Sequence, residues 1–170
     1  MTPEHELDPQ VLGDHFDRLY RAAWALCGSR EDAEDLVQDT YARVLARPRL
    51  VRSDDDLGYL LRVLRNTFVS SWRALARRPQ VAPGAEPEAM ELPDQRRAAA
   101  EPAVAAEARE VYRAISELPD DFRDALVAID VAGLSYSEAA RAFKVAEGTI
   151  TSRLFRARRQ VTRILDPAGD

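Results

Sequence analysis

The chain reads as all-α: two small helical domains joined by a flexible linker, the C-terminal one a helix-turn-helix. Three observations predict this. Apolar residues recur at spacings of three and four, and no strand-like alternation of any length appears. Prolines, alanines and glutamates crowd the middle of the chain, where large apolar residues are scarce. Residues 134–163 read as two short helices broken by a turn, followed by a run of arginines.

Residues 1–13 are polar, carry Pro3 and Pro9, and are expected to be disordered. The first domain, 14–78, opens with a helix over 14–27 whose inward stripe is Phe16, Leu19, Tyr20, Ala23, Trp24 and Cys27; Gly28 ends it. Ser29 with Asp32 caps a second helix, which continues to Ala46 and stops before Pro48. Leu36, Val37, Thr40, Tyr41 and Val44 share one side of it, and Glu31, Asp35, Gln38, Asp39 and Ala42 the other. Acidic residues near a helix N-terminus are favoured by the macrodipole alone. That face is therefore either solvated surface or a docking strip for a basic partner.

A connector over 47–56 leads to a third helix, 57–77, which Asp56 or a neighbour caps. Its buried stripe is predicted to be Leu57, Leu60, Leu61, Leu64, Phe68, Trp72 and Leu75. Opposite lie Tyr59, Arg62, Asn66, Val69, Ser70, Arg73 and Arg77, with Arg65 at the edge. Cations interleaved with an aromatic and an amide suit single-stranded or distorted nucleic acid. Arginine is also a good helix former, so a solvated face is the other reading. Pro79, Pro83, Pro87, Pro93 and Pro102 mark 79–106 as the linker. The second domain, 107–165, holds a helix marked by Val111, Ile115 and Leu118 and another opened by Pro119 and ended by Gly133. Residues 166–170 are a tail.

Within the helix-turn-helix, Ser135 and Glu138 form a capping-box pair, because hydroxyl and carboxylate can each bond the other's backbone N–H. Ala139, Ala140 and Phe143 form the buried stripe of the first helix, and residues 144–146 carry the turn. The second helix opens near Glu147 or Gly148 and turns Ile150, Leu154, Ala157 and Val161 inward. Its outward face carries Thr149, Ser152, Phe155, Arg156 and Arg159, flanked by Thr151, Arg153 and Arg158. Periodicity alone fits an amphipathic hairpin with a solvated face equally well. The charge does not: from Arg141 to Arg163 the bases are Arg141, Lys144, Arg153, Arg156, Arg158, Arg159 and Arg163, against the single acid Glu147. In a chain of formal net charge -5, this basic patch is placed and not inherited from composition.

Composition narrows the function classes. Cys27 is the only cysteine, which excludes an intrachain disulfide and a cysteine-based zinc site; its apolar neighbours suit an inert buried thiol. His5 and His15 have no partner motif for a metal. No nucleophile with its base, metal cluster or phosphate loop stands out, so neither an enzyme, a cofactor nor a small-molecule substrate is expected. No signal peptide and no apolar run approaching about 18 residues is visible, which predicts a cytoplasmic protein.

In this order the motifs DAEDLVQDTYARV at 32–44, LLRVLRNTFV at 60–69, and ELPDDFRDAL with GLSYSEAARAFKVAEGTITSRLFRAR between 117 and 158 resemble an extracytoplasmic-function (group 4) sigma factor of bacterial RNA polymerase, in the sigma-70 family. The resemblance covers about residues 16–78 and 111–165. It implies a promoter-specificity subunit that binds core polymerase and directs transcription initiation. Asp35, Gln38 and Asp39 would dock on the clamp helices of the beta-prime subunit. Tyr59, Arg62, Arg65, Asn66 and Arg73 would face the minus-ten element, and residues 50–56 would help hold a flipped base, whose extrusion costs a few kcal/mol. Thr149, Thr151, Ser152, Arg153, Arg156 and Arg159 would meet the minus-thirty-five element, while the apolar side of the same domain engages the beta flap. An anti-sigma factor is a further partner the resemblance implies.

The family commonly has glycine where Lys144 stands, so a differently shaped turn is expected, and a basic residue where Thr151 stands. Two other readings follow from the residues. A sigma-like decoy that binds an anti-sigma factor without DNA predicts eroded basic faces, whereas both are intact. An independent helix-turn-helix regulator leaves the acidic helix unexplained.

Overall fold

The structure, a computed structural model, describes residues 4–7, 9–52, 54–76 and 102–167. Most of the linker expected over 79–106 lies outside these residues, as do the ends of both predicted termini. From Pro102 onward the chain is already helical.

The N-terminus differs from expectation. Strand β1 (Glu4–Glu6) pairs antiparallel with β2 (Leu50–Arg52), with His5 opposite Val51, and helix α1 (Pro9–Asp14) follows. Leu7 and Leu12 are buried, and the Tyr41 hydroxyl donates to the Leu12 carbonyl at 2.7 Å. Two buried leucines and this bond hold the residues that their polarity marked as disordered. Three-residue strands are too short to leave a readable alternation.

Helix α2 (Phe16–Cys27) ends at Gly28, whose left-handed φ of 73° lets its N–H reach the Trp24 carbonyl at 2.7 Å. Leu19, Tyr20, Ala23 and Trp24 are buried, but Phe16 is 45% exposed and lies on the surface against Tyr20 and Tyr41. Helix α3 (Arg30–Ala46) is capped by the Ser29 hydroxyl, which accepts from the Asp32 N–H. It buries Leu36, Val37, Thr40 and Val44, and the Thr40 hydroxyl is satisfied by the Leu36 carbonyl at 2.7 Å. Helix α4 (Asp56–Ala76) buries Leu57, Leu60, Leu61, Leu64 and Phe68 as its periodicity predicts. Trp72, assigned to the same stripe, is 60% exposed instead. It sits one turn beyond Phe68, edge-on to that ring, where the apolar stripe runs past the body of the core.

The second half contains α5 (Pro102–Ser116), α6 (Asp120–Leu126) continued by a π turn at Val127–Val131, α7 (Tyr136–Phe143) and α8 (Glu147–Leu165). Ser135 and Glu138 form the full capping box. Lys144 takes φ 57° and ψ 46°, so the turn keeps the left-handed shape with a side chain in place of glycine. Ala139, Ala140, Ile150, Leu154 and Ala157 are buried, while Phe143 and Val161 pack at the edge of the core.

One apolar cluster runs through both halves. Tyr112 of α5 meets Trp24 of α2 at 4.8 Å between ring centroids, α2 also packs on the π turn, and α7 packs on α4. Where α7 crosses α4, a Cβ added at Gly58 would lie 3.7 Å from the Ala142 Cβ. Small residues on both helices permit that approach, and Ala142 is accordingly buried although the predicted stripe omitted it.

Candidate nucleic-acid interface

Helix α8 presents its predicted face to solvent. Ile150, Leu154 and Ala157 fix its rotation, which leaves Thr151, Ser152, Arg156 and Arg159 exposed and Thr149 half-buried near the N-terminus. The Thr151 hydroxyl donates back to the Glu147 carbonyl at 3.0 Å and that of Ser152 to the Thr149 carbonyl at 3.1 Å. With those protons engaged, both oxygens are oriented as acceptors. The Arg159 guanidinium lies 5.9 Å from the centre of the Phe155 ring, which is 62% exposed. Arg153 is tied instead to Asp121 of α6 at 2.7 Å. Arg158 is also paired, forking onto both oxygens of Asp130 at 2.7 and 2.9 Å. The free cationic surface is thus narrower than the count of arginines suggested.

On α4 the five predicted residues divide. Tyr59 and Arg62 form a stacked pair, guanidinium 5.3 Å from the ring centre. Arg73 is exposed near the far end. Arg65 turns toward the second half of the chain, where its Nε donates to Asp124 Oδ2 at 2.6 Å. Arg62, Arg65 and Asn66 line a cleft of about 380 Å³ whose opposite wall includes Asp121, Asp124, Lys144 and Arg153. Burial pushes the Asp124 carboxyl above its ordinary range, and the Arg65 hydrogen bond and charge only partly offset this.

The acidic residues of α3 stay together on the surface: Asp35, Gln38 and Asp39 are all exposed. Asp32, Asp35 and Asp39 rim a cleft of about 250 Å³ with Leu36, Cys27, Phe68, Ser71 and Trp72. Trp72, which periodicity assigned to the buried stripe, lines this cleft instead, and its place at the end of the stripe, beyond Phe68, was the available signal. Burial pushes the Cys27 thiol up to about 12, although the residue is only partly buried and lines this cleft. Among the described residues no group of histidine, cysteine and carboxylate side chains could hold a metal ion, and no helix is long and apolar enough to cross a membrane.

Two family patterns match this chain in the order of its two halves: sigma-70 region 2 over residues 12–78 and sigma-70 region 4 over residues 108–161. They define its class as a protein of sigma-70 type with those two regions. Among curated proteins it is 34% identical to the ECF RNA polymerase sigma factor EcfG of Rhodopseudomonas palustris, over 84% of this chain and 76% of that one. It is 33% identical to SigM of Mycobacterium tuberculosis, over 92% and 76%. The match to SigE of Mycolicibacterium smegmatis, 33% identical over 89% of this chain, spans only 59% of that protein. The chain belongs to the family of ECF RNA polymerase sigma factors. Among solved structures, the sigma factor RpoE in complex with the anti-sigma factor NepR from Bartonella quintana superposes with a TM-score of 0.64 at 26% identity, over 94% of this chain and 96% of that one. CnrH in complex with the cytosolic domain of CnrY shares the fold, with a TM-score of 0.62 at 23% identity.

Proposed function

We propose that this chain binds core RNA polymerase and directs transcription initiation at promoters, in the bacterial cytoplasm and without catalytic chemistry of its own. Asp35, Gln38 and Asp39 on α3 make the contact with the beta-prime clamp helices. Tyr59, Arg62, Arg65, Asn66 and Arg73 on α4 read the minus-ten element, and Thr149, Thr151, Ser152, Arg153, Arg156 and Arg159 on α8 read the minus-thirty-five element. The apolar side of region 4 meets the beta flap.

The observation that carries this reading is the separation of charge by helix in one small chain. An acidic face on α3 borders an apolar cleft, while the cations of α4 and α8 lie on other surfaces. The α3 cleft suits an amphipathic partner with basic flanks: the exposed Trp72 offers apolar surface, and Asp32, Asp35 and Asp39 surround it with negative charge. On α8, exposed hydroxyls and arginines share the outward face, which suits the base edges and phosphates of a major groove. An anti-sigma factor is read as a further partner, in keeping with the complex in which the RpoE relative was solved.

The test is direct binding to purified bacterial core polymerase. Asp35→Ala and Gln38→Ala should each weaken that binding by about 1 kcal/mol or more without altering helix content. Equal affinity for all three proteins, with the fold intact, would remove α3 as the docking surface.

A further inference from the structure

The N-terminal arm, residues 4–7 and 9–14, is held at three places, and two of them lie at the start of α4. β1 pairs with β2, so that Glu4 stands opposite Arg52, His5 opposite Val51 and Glu6 opposite Leu50. The His5 Nε2 lies 3.2 Å from Asp56 Oδ2. From β2 the chain enters α4 through two backbone bonds: the Asp55 N–H donates to the Arg52 carbonyl and the Tyr59 N–H to the Asp55 carbonyl, each at 2.8 Å. β1, β2 and the first turn of α4 are therefore one connected unit. The third hold is the Tyr41 hydroxyl on the Leu12 carbonyl, which ties the arm to α3.

Asp56 is the joint. It is only 9% exposed, its Oδ1 has no hydrogen-bond partner among the described residues, and burial pushes its carboxyl above the ordinary range, which the charges of His5 and His15 only partly offset. Helix capping does not ask for this, because an aspartate left in water supports a helix N-terminus without losing its hydration. Burying it against His5 makes the start of α4 depend on the arm. One turn further on, the Arg62 guanidinium lies 5.3 Å from the centre of the Tyr59 ring, so the unit ends on an aromatic and a cation assigned to DNA.

We infer that the N-terminal arm is a positioning element for the minus-ten face, with His5 as its central residue: β1 and His5 set the first turn of α4 so that Tyr59 and Arg62 stand ready for a stacked base. The arm need not touch DNA in this role. A base stacks well only on a ring held in place beforehand, and a ring that swings with a loose helix end loses affinity to its own ordering on binding. His5 holds Asp56, not the residues assigned to polymerase or to the minus-thirty-five element, so its loss falls on single strands. This inference rests on the assignment of α4 to the minus-ten element.

Two substitutions at one position test it. Core polymerase carrying the full-length chain is offered a pool of random-sequence single-stranded DNA and a pool of random-sequence duplexes, with retention counted over that of core polymerase alone. His5→Ala should lower single-strand retention about five- to tenfold, the worth of part of one base stack. Duplex retention, affinity for polymerase and helix content should stay as in the parent chain. His5→Gln, whose side-chain amide can donate to Asp56, should restore most of the loss. Equal single-strand retention by His5→Ala and the parent would overturn the inference, as would a His5→Gln chain no better than His5→Ala. An equal fall in single-strand, duplex and polymerase binding would also overturn it, and would make the arm a general brace of the fold. Tyr59→Ala separates the two levels. If it leaves single-strand retention unchanged, the assignment of α4 fails and the inference with it; if it lowers retention while His5→Ala does not, only the positioning role fails.

Discussion

Ser135 and Glu138 show how much two side chains settle locally. The Glu138 carboxylate accepts from the Ser135 N–H at 2.7 Å and from its hydroxyl at 2.6 Å, and these bonds hold it below the usual glutamate range. A carboxyl depressed on folding contributes stability above its unfolded range and loses it as pH falls through the folded value. Glu138→Gln should therefore cost stability near neutral pH and almost none in acid, as followed by urea denaturation across that span. Ser135→Ala should cost about 1 kcal/mol. Lys144 makes the opposite case. A left-handed backbone costs a non-glycine residue about 1–2 kcal/mol, and glycine's greater freedom in the unfolded chain returns about 0.4–1 kcal/mol of that. Lys144→Gly should thus stabilise the protein by up to about 1.5 kcal/mol in the same assay. The capping box could be read from residue types alone. The left-handed turn could not be read from a lysine, because only the tight approach of α7 to α8, with the Val145 N–H reaching the Ala140 carbonyl at 3.0 Å, imposes it.

At the scale of helices, periodicity located the inward faces well where both sides of the helix are set by one core. Leu60, Leu64, Ile150 and Leu154 are fully buried, and Leu64→Ala should cost about 2–5 kcal/mol in chemical denaturation. It failed where a helix outruns its support, at Phe16 and Trp72, and it did not reveal that Arg65, at the edge of the polar face, pairs with Asp124. Spacing along one helix carries no information on what approaches it from elsewhere in the chain. The arginines of α8 are a related case: Arg153 and Arg158 are occupied by Asp121 and Asp130, while Arg156 and Arg159 are exposed on the outer face without an ion pair among the described residues. Arg156→Ala should weaken duplex binding and lower the slope of log affinity against log salt by about one phosphate contact. An unchanged slope would move Arg156 from the backbone to a base edge or out of the interface.

For the whole molecule, the fold class, the order of helices and the family were legible because each depends on local pattern and motif order. The packing of region 4 on region 2 was not. It rests on small residues at Gly58 and Ala142, a ring pair between Trp24 and Tyr112, and the ion pairs of Arg65 with Asp124 and Arg141 with Asp55. None of these leaves a periodic trace.

The central claim, that this chain gives core polymerase its promoter specificity, is tested most directly by run-off transcription with purified bacterial core enzyme on a library of random promoter sequences, with and without the protein. Start sites that arise only in its presence, enriched for two upstream elements at fixed spacing, are the predicted result. A chain that binds core polymerase yet yields no new start site would contradict it.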